Sequence, residues 1–302
     1  MTTDELIQAV REYANVGTAA EDSQDDQLLR RLNTEQTLYL TTILQKSKGQ
    51  HRQATLDWTT SSTVLRYDIP TRAIAAGIKM AQGVDASGQS WMLYDFPDED
   101  NARYGRFFVN NGQFYIEGNQ LVFYAAPPAG TLRITYSRRM NTLVKLASVG
   151  IITNINTGTG VVAISPTPAG FGTAAANYDF VRASPHFDIL AMDKSATRSS
   201  GNMTFAVADL PTGLAVGDYV CLAGQSAVSQ APLEAHPLLA IRCAYVWSRA
   251  KNDPAAMGLK EEMDTMAGMV ATLLEPRIEQ ESPLVNRYAP GFNAWPFVRR
   301  VF

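Results

Sequence analysis

The chain is poor in the residues that usually announce chemistry. Two cysteines and three histidines in 302 residues leave little for a disulfide framework or a metal cage. Cys221 falls in a strand-like run and Cys243 in a helix-like run, with no CxxC or Cys/His spacing. Two buried thiols in a reduced, cytosolic setting are therefore expected. His51, His186 and His236 stand in separate segments and no HxH or HExxH spacing joins them, which argues for isolated turn histidines over a metal site. No apolar run approaches the roughly 18 residues of a membrane span, and the opening MTTDELIQAV lacks the basic and hydrophobic regions of a signal peptide. No membrane is expected as a partner; the protein is expected to stay inside a cell or inside something assembled there. Net charge is −3 with acids and bases dispersed. That excludes a surface built throughout to grip nucleic acid, but not one past which DNA slides.

Catalytic fingerprints are missing as well. GQSAV has a serine without the closing glycine of GxSxG, and SATRSSG lacks the SxxK spacing. NTGTGV and AGFGTAA are glycine-rich, yet neither reads GxxxxGK[ST], and no GxGxxG hands a strand to a helix. The adjacent acids Asp98, Glu99 and Asp100 lack a spaced fourth ligand and fit a solvated loop better than a hard-cation site. No catalytic residue, cofactor site or metal site is assigned.

What is present is a clear change of pattern along the chain. With 302 residues, roughly three quarters of the unfolded surface can be hidden, enough for one large domain or two modest ones. Residues 1–50 read as two helices. Thr2 and Glu5 fit a capping box ahead of the stripe Leu6, Ile7, Val10, Ala14. After the acidic break TAAEDSQDD, Leu28, Leu29, Leu32, Gln36, Tyr39, Leu40 and Ile43 mark a longer helix ending near Gly49. Residues 51–144 and 145–231 carry short runs rich in Val, Ile, Tyr, Phe and Thr, divided by Gly, Asn, Asp and Pro clusters. YIEGNQLVFY and TNINTGTGVVAIS read as hairpins, and a meandering antiparallel sheet is the consequence. Residues 145–231 form a second small barrel or sandwich, or an insertion into the first.

Helices return over 232–276. Leu238, Leu239, Arg242, Cys243, Val246 and Trp247 lie on a nearly all-round apolar helix. Asp253 and Pro254 offer an N-cap and first-turn proline for a second one, on which Leu259, Met263, Met266, Val270, Leu273 and Leu274 keep helical spacing until Pro276. The methionines Met257, Met263, Met266 and Met269 read as ordinary core. The fold class expected is α+β: a bundle made by the N- and C-terminal helices, a large antiparallel β insertion of one or two small barrels or sandwiches, and an extended C-terminal arm over 277–302.

That arm holds Tyr288, Phe292, Trp295, Phe297 and Phe302 among Pro283, Pro290, Gly291 and Pro296, a composition no helix or central strand can bury. The aromatics either strap back onto their own domain or dock in a partner, with Arg299 and Arg300 adding polar contacts. Arg138 and Arg139, closing a strand in TYSRRMN, are too few for a nucleic-acid groove and suit bidentate pairs across a subunit contact. Trp58, Trp91 and the many tyrosines also leave open a carbohydrate-binding β protein.

YIEGNQLVFYAAPPAGTLRITYSRRMNTLV and LAVGDYVCLAGQSAVSQAPLEAHPLLAIRCAYVWSRA resemble stretches of the head-to-tail adaptor (neck, connector) proteins of tailed bacteriophages, over most of Tyr67 to Ala250. The resemblance implies a non-enzymatic virion protein, assembled in the host cytoplasm and placed at the head-tail neck. It implies a ring of about twelve copies beneath the portal protein, prolonging the DNA channel, receiving tail or nozzle proteins, and docking an extended arm on the portal. Genomic DNA would pass the lumen without sequence-specific binding. Where that family follows its arginine pair with proline, Met140 stands here, so the next turn is left open. Tail-tube, tail-fibre and capsid-decoration roles are the structural alternatives.

Overall fold

The structure is a computed structural model and describes residues 1–16, 22–46, 53–61, 63–85, 87, 90–92, 94–95, 113–123, 127, 129–183 and 188–274. It is a mixed helix and strand fold containing a closed six-stranded barrel.

Helix α1 (Thr3–Tyr13) begins at the capping box that Thr2 and Glu5 encode. The Thr2 hydroxyl accepts from the Glu5 amide at 3.3 Å and the Glu5 carboxylate accepts from the Thr2 amide at 2.8 Å, so two amides left open by the first turn are satisfied. Helix α2 (Asp22–Glu35) continues through a π turn (Gln36–Leu40) into α3 (Thr41–Lys46). The sequence pattern predicts one unbroken helix there. The π turn accompanies Gln36, a buried polar side chain on the apolar stripe: its Nε2 donates to Asn141 O at 3.0 Å and its Oε1 accepts from Ser229 Oγ at 2.9 Å. Helices α4 (His236–Ala250) and α5 (Ala256–Leu273) follow at the other end. Asp253 does not cap α5; its carboxylate accepts from Ala255 N at 2.9 Å, a local turn that delays the helix to Ala256. α4 packs on α1, α2 and α5, and α3 touches α5. Leu6, Val10, Leu28, Leu32 and Leu40 thereby share one buried cluster with Leu238, Leu239, Ile241, Leu259 and Met263. Only part of the methionine stripe is core. Met263 is buried, while Met257 and Met269 are exposed.

The β region opens with β1 (Gln53–Thr60), β2 (Arg66–Asp68), β3 (Ala73–Asp85), β4 (Ser90–Met92), β5 (Tyr94–Asp95), β6 (Gln113–Glu117), β7 (Gln120–Phe123) and β8 (Gly130–Arg138). They make two four-stranded sheets, ordered β1-β8-β3-β4 and β2-β7-β6-β5. The hairpin expected in YIEGNQLVFY is β6–β7, turning at Gly118 with φ +61°, a left-handed backbone that suits glycine. The simple meander expected does not hold: β8 lies between β1 and β3, and β5 runs parallel to β6. Alternating apolar residues identify a strand but not its neighbour. Between the sheets sit Phe114, Leu121, Phe123, Leu132, Ile134 and Tyr136, with Trp58 stacked on Tyr67 at 5.9 Å.

Strand β9 (Thr142–Leu143) leads to the barrel, formed by β10 (Gly150–Asn156), β11 (Val161–Ile164), β12 (Ala176–Val181), β13 (Ile189–Ser199), β14 (Asn202–Phe205) and β15 (Tyr219–Leu222), closed in the order β10-β11-β14-β13-β12-β15. The glycine-rich turn of TNINTGTGVVAIS joins β10 to β11. Gly160 there has φ +70°, and a Cβ at that position would lie 2.2 Å from Phe205 O, so the turn presses against the end of β14. Phe171, Tyr178, Phe180 and Phe205 fill the interior with tilted and edge-on ring contacts. A last short strand, β16 (Gln225–Ser226), pairs in parallel with β9 and returns the chain to α4.

Candidate functional site

Strands β9 and β16 bring the helices, the first sheets and the barrel to one seam, and a buried carboxylate stands at its centre. Asp179 in β12 is 0 % exposed although it lies between Tyr178 and Phe180, whose rings fill the barrel, so that its own side chain points out of the barrel. Arg72, from the turn before β3, grips it with Nη1 at 2.8 Å and Nη2 at 3.0 Å, and the same Nη2 reaches Asp193 Oδ1 at 2.7 Å. Asn141 Nδ2 donates at 2.8 Å, Gly224 N at 3.1 Å and Asp193 N at 3.0 Å. The charge is thus paired and its lone pairs filled, the condition under which a buried ion is tolerated. Asp193 holds φ +55°, and partial burial raises its pKa above the usual carboxylate value.

Asn141 carries the contact into the helices. Its Nδ2 also donates to Gln225 O at 3.0 Å, and its carbonyl accepts from Gln36 of the π turn. Asn33 of α2 adds a reciprocal pair with Leu143, donating to its carbonyl at 3.0 Å and accepting from its amide at 2.6 Å. One hydrogen-bonded chain therefore runs from the first sheets through the barrel to α2. A second polar centre lies among the helices: Arg242 donates to Glu35 at 2.8 Å and stands 4.5 Å above the Tyr39 ring.

Arg138 ends β8 half-buried beside this seam. Its Nη1 meets Met192 Sδ at 3.3 Å, its Nε is buried without a hydrogen-bond partner, and burial together with the nearby Arg72 lowers its pKa. Arg139 is exposed, and its backbone amide donates to Arg72 O at 2.7 Å. Trp58 has one ring face occupied by Tyr67, which removes that face from any sugar platform. Tyr288, Phe292, Trp295, Phe297, Arg299, Arg300 and Phe302 lie outside the described residues, as do His51, His186, Asp98, Glu99, Asp100 and the Trp91 side chain.

Sequence reasoning missed Arg72, Asp179 and Asn141. Only Asp179 carried a signal, an acid between two aromatics in a strand run; Arg72 and Asn141 sit in ordinary turn composition. Burial pushes the Cys221 and Cys243 thiols up to about 12, which keeps both protonated and poorly nucleophilic. Among the described residues no group of three or more His, Cys, Asp or Glu side chains is placed to hold a metal ion, and no helix is long and apolar enough to cross a membrane.

The arrangement is one of cohesion: paired charges and hydrogen bonds from amide groups lock three structural parts together. No curated protein matches the sequence. Residues 1–200, from α1 through β13, match the family model described as SU10 adaptor protein, and with 200 of 302 positions matched the chain belongs to that family of phage structural adaptors.

Proposed function

We propose that the protein is the head-to-tail adaptor of a tailed phage, a structural subunit assembled in the host cytoplasm and resident at the neck of the virion. About twelve copies form a closed ring beneath the portal protein. The ring prolongs the DNA channel and receives tail or nozzle proteins on its far side. The helices of the two chain ends act as one bundle and form the wall, and the two β regions face neighbouring subunits and tail components. Arg138 and Arg139 take part in the contact between subunits.

The observation that carries this reading is the family match over residues 1–200. The locked seam supports it, because a subunit that transmits load between head and tail gains from parts that do not slip. The C-terminal arm, with Tyr288, Phe292, Trp295, Phe297, Arg299, Arg300 and Phe302, docks on the portal; aromatics with few rotamers lose little entropy when they fill a partner's pockets. DNA passes without sequence-specific contacts, since a strongly basic lumen would hold it by counterion release.

The test is capture of purified portal by the full chain and by a chain ending at residue 282. Retention by the full chain alone supports arm docking, and equal retention refutes it. A labelled copy found in virions along the tail tube, on fibres or on the capsid surface, rather than at the neck, overturns the adaptor assignment itself.

A further inference from the structure

Arg138 forms no direct ion pair among the described residues, at a site where cations are normally paired. Among the described residues its Nε finds no partner, and its side-chain hydrogen bond goes to a thioether, a weak acceptor. Of the carboxylates near it, Asp179 and Asp193 are held by Arg72, and Asp188, exposed, attracts it from beyond ion-pair distance. Arg139 follows with its side chain in solvent and no ion pair among the described residues. A half-desolvated guanidinium without a direct ion pair is costly, and its planar fork fits a carboxylate.

The anion that fits is a protein carboxylate. Two arginines on a chain of net charge −3 are a poor phosphate groove. The chain itself presents unclaimed carboxylates. Helix α5 buries only Ala256, Leu259, Met263 and Val270. Its outer face exposes Glu261, Glu262 and Asp264, none in an ion pair among the described residues, between Met257 at 69 %, Met269 at 61 % and Leu273 at 54 % exposure. Apolar ends around an acidic centre are the profile of a surface that meets a partner carrying a cation.

We propose that Arg138 and Arg139 of one copy pair with Glu261, Glu262 and Asp264 on α5 of the next copy, with Met257, Met269 and Leu273 packing around them. Two different patches of one chain meet in this contact, so it is head-to-tail and propagates around a ring. The inference rests on the ring reading and adds to it which surfaces touch.

The test is a charge swap on the full chain, with assembly followed by native mass and sedimentation. Arg138→Glu/Arg139→Glu and Glu261→Lys/Glu262→Lys/Asp264→Lys should each raise the concentration for half-assembly about tenfold or more. An equimolar mixture should recover assembly, because every contact of an alternating ring then joins opposite charges. If the half-buried substitution unfolds the subunit, Arg139→Glu with the α5 triple variant performs the same swap at exposed positions. Variants that assemble like the wild type, or a mixture no better than its components, overturn the pairing and leave the ring standing. A wild-type chain that stays monomeric at every concentration overturns both. Normal assembly by the arginine variant with weakened, salt-sensitive DNA retention puts phosphate at the site and overturns the pairing.

Discussion

The barrel and the two sheets before it are built from the same kind of short β run, yet among the described residues only the barrel closes. Each barrel strand has two neighbours, so no edge is left open and the interior cluster of Tyr178, Phe180 and Phe205 is fully enclosed. In the first sheets β1 is an edge strand, paired among the described residues with β8 alone, and its residues alternate between exposed and half-buried. A closed sheet satisfies itself, whereas an open one depends on what lies beside it. Here Arg72, reaching out of the open region to Asp179 in the barrel, supplies that dependence.

Breaking the link gives the largest expected effect. Asp179→Ala takes the bidentate partner from Arg72, which keeps only Asp193, removes one of two acceptors of Asn141 Nδ2 and strips the Gly224 and Asp193 amides of theirs, and should cost about 3 kcal/mol. The urea transition should also split, with the first sheets unfolding before the barrel. A single transition within about 1 kcal/mol of wild type would mean the two regions hold together by other contacts.

Closure itself is tested by paired truncations. Phe180→Ala inside the barrel should cost about 3–5 kcal/mol, whereas Trp58→Ala on the open edge strand, half-buried, should cost about 1–2 kcal/mol. Equal losses would remove the contrast between the regions.

Acid should leave both β regions in place and act on the helices. His236 at the start of α4 is held neutral: Nδ1 lies 2.7 Å from the Met1 ammonium, which can only donate, and Nε2 therefore donates to Ala231 O at 3.0 Å. Burial first, and that ammonium second, lower its pKa from 6.5 to about 4. The unfolded chain takes up the proton first as pH falls, so the stabilisation is complete above the unfolded value and is lost between about pH 6.5 and 4. The loss amounts to at most about 3 kcal/mol. Unfolding free energies from pH 7 to 4 should fall more steeply for the wild type than for His236→Gln, with α1 and α4 amides losing exchange protection first. Identical slopes would place the acid sensitivity elsewhere.

Much of the local structure was legible in advance. The Thr2/Glu5 box, the α1 stripe, the Gly118 and Gly160 hairpins and the return to helix after Pro232 all appear where side-chain spacing put them. The errors have a common cause. Gln36 falls at one more position of a helical stripe, and its partners, Asn141 and Ser229, are invisible to periodicity. Asp253 stands near the N-cap position, but its carboxylate accepts from the Ala255 amide, one residue before α5 begins. Met257 and Met269 fell on a helical stripe yet point outward, since helical phase alone does not say which side of α5 meets α4. Of the candidate site, Arg138 and Arg139 were picked out by charge, while Arg72, Asp179 and Asn141 were missed.

Local sequence dictates the order of helical and β segments and the kind of most elements, the π turn at Gln36 excepted, because capping, turn conformations and hydrophobic period act over a few residues. The tertiary structure alone decided which strands are neighbours, that six of them close, and that Arg72 meets Asp179 across 107 positions of chain. Those choices depend on the shape of the apolar faces once assembled and on the cost of leaving a buried charge unpaired, and neither quantity exists until distant segments come together.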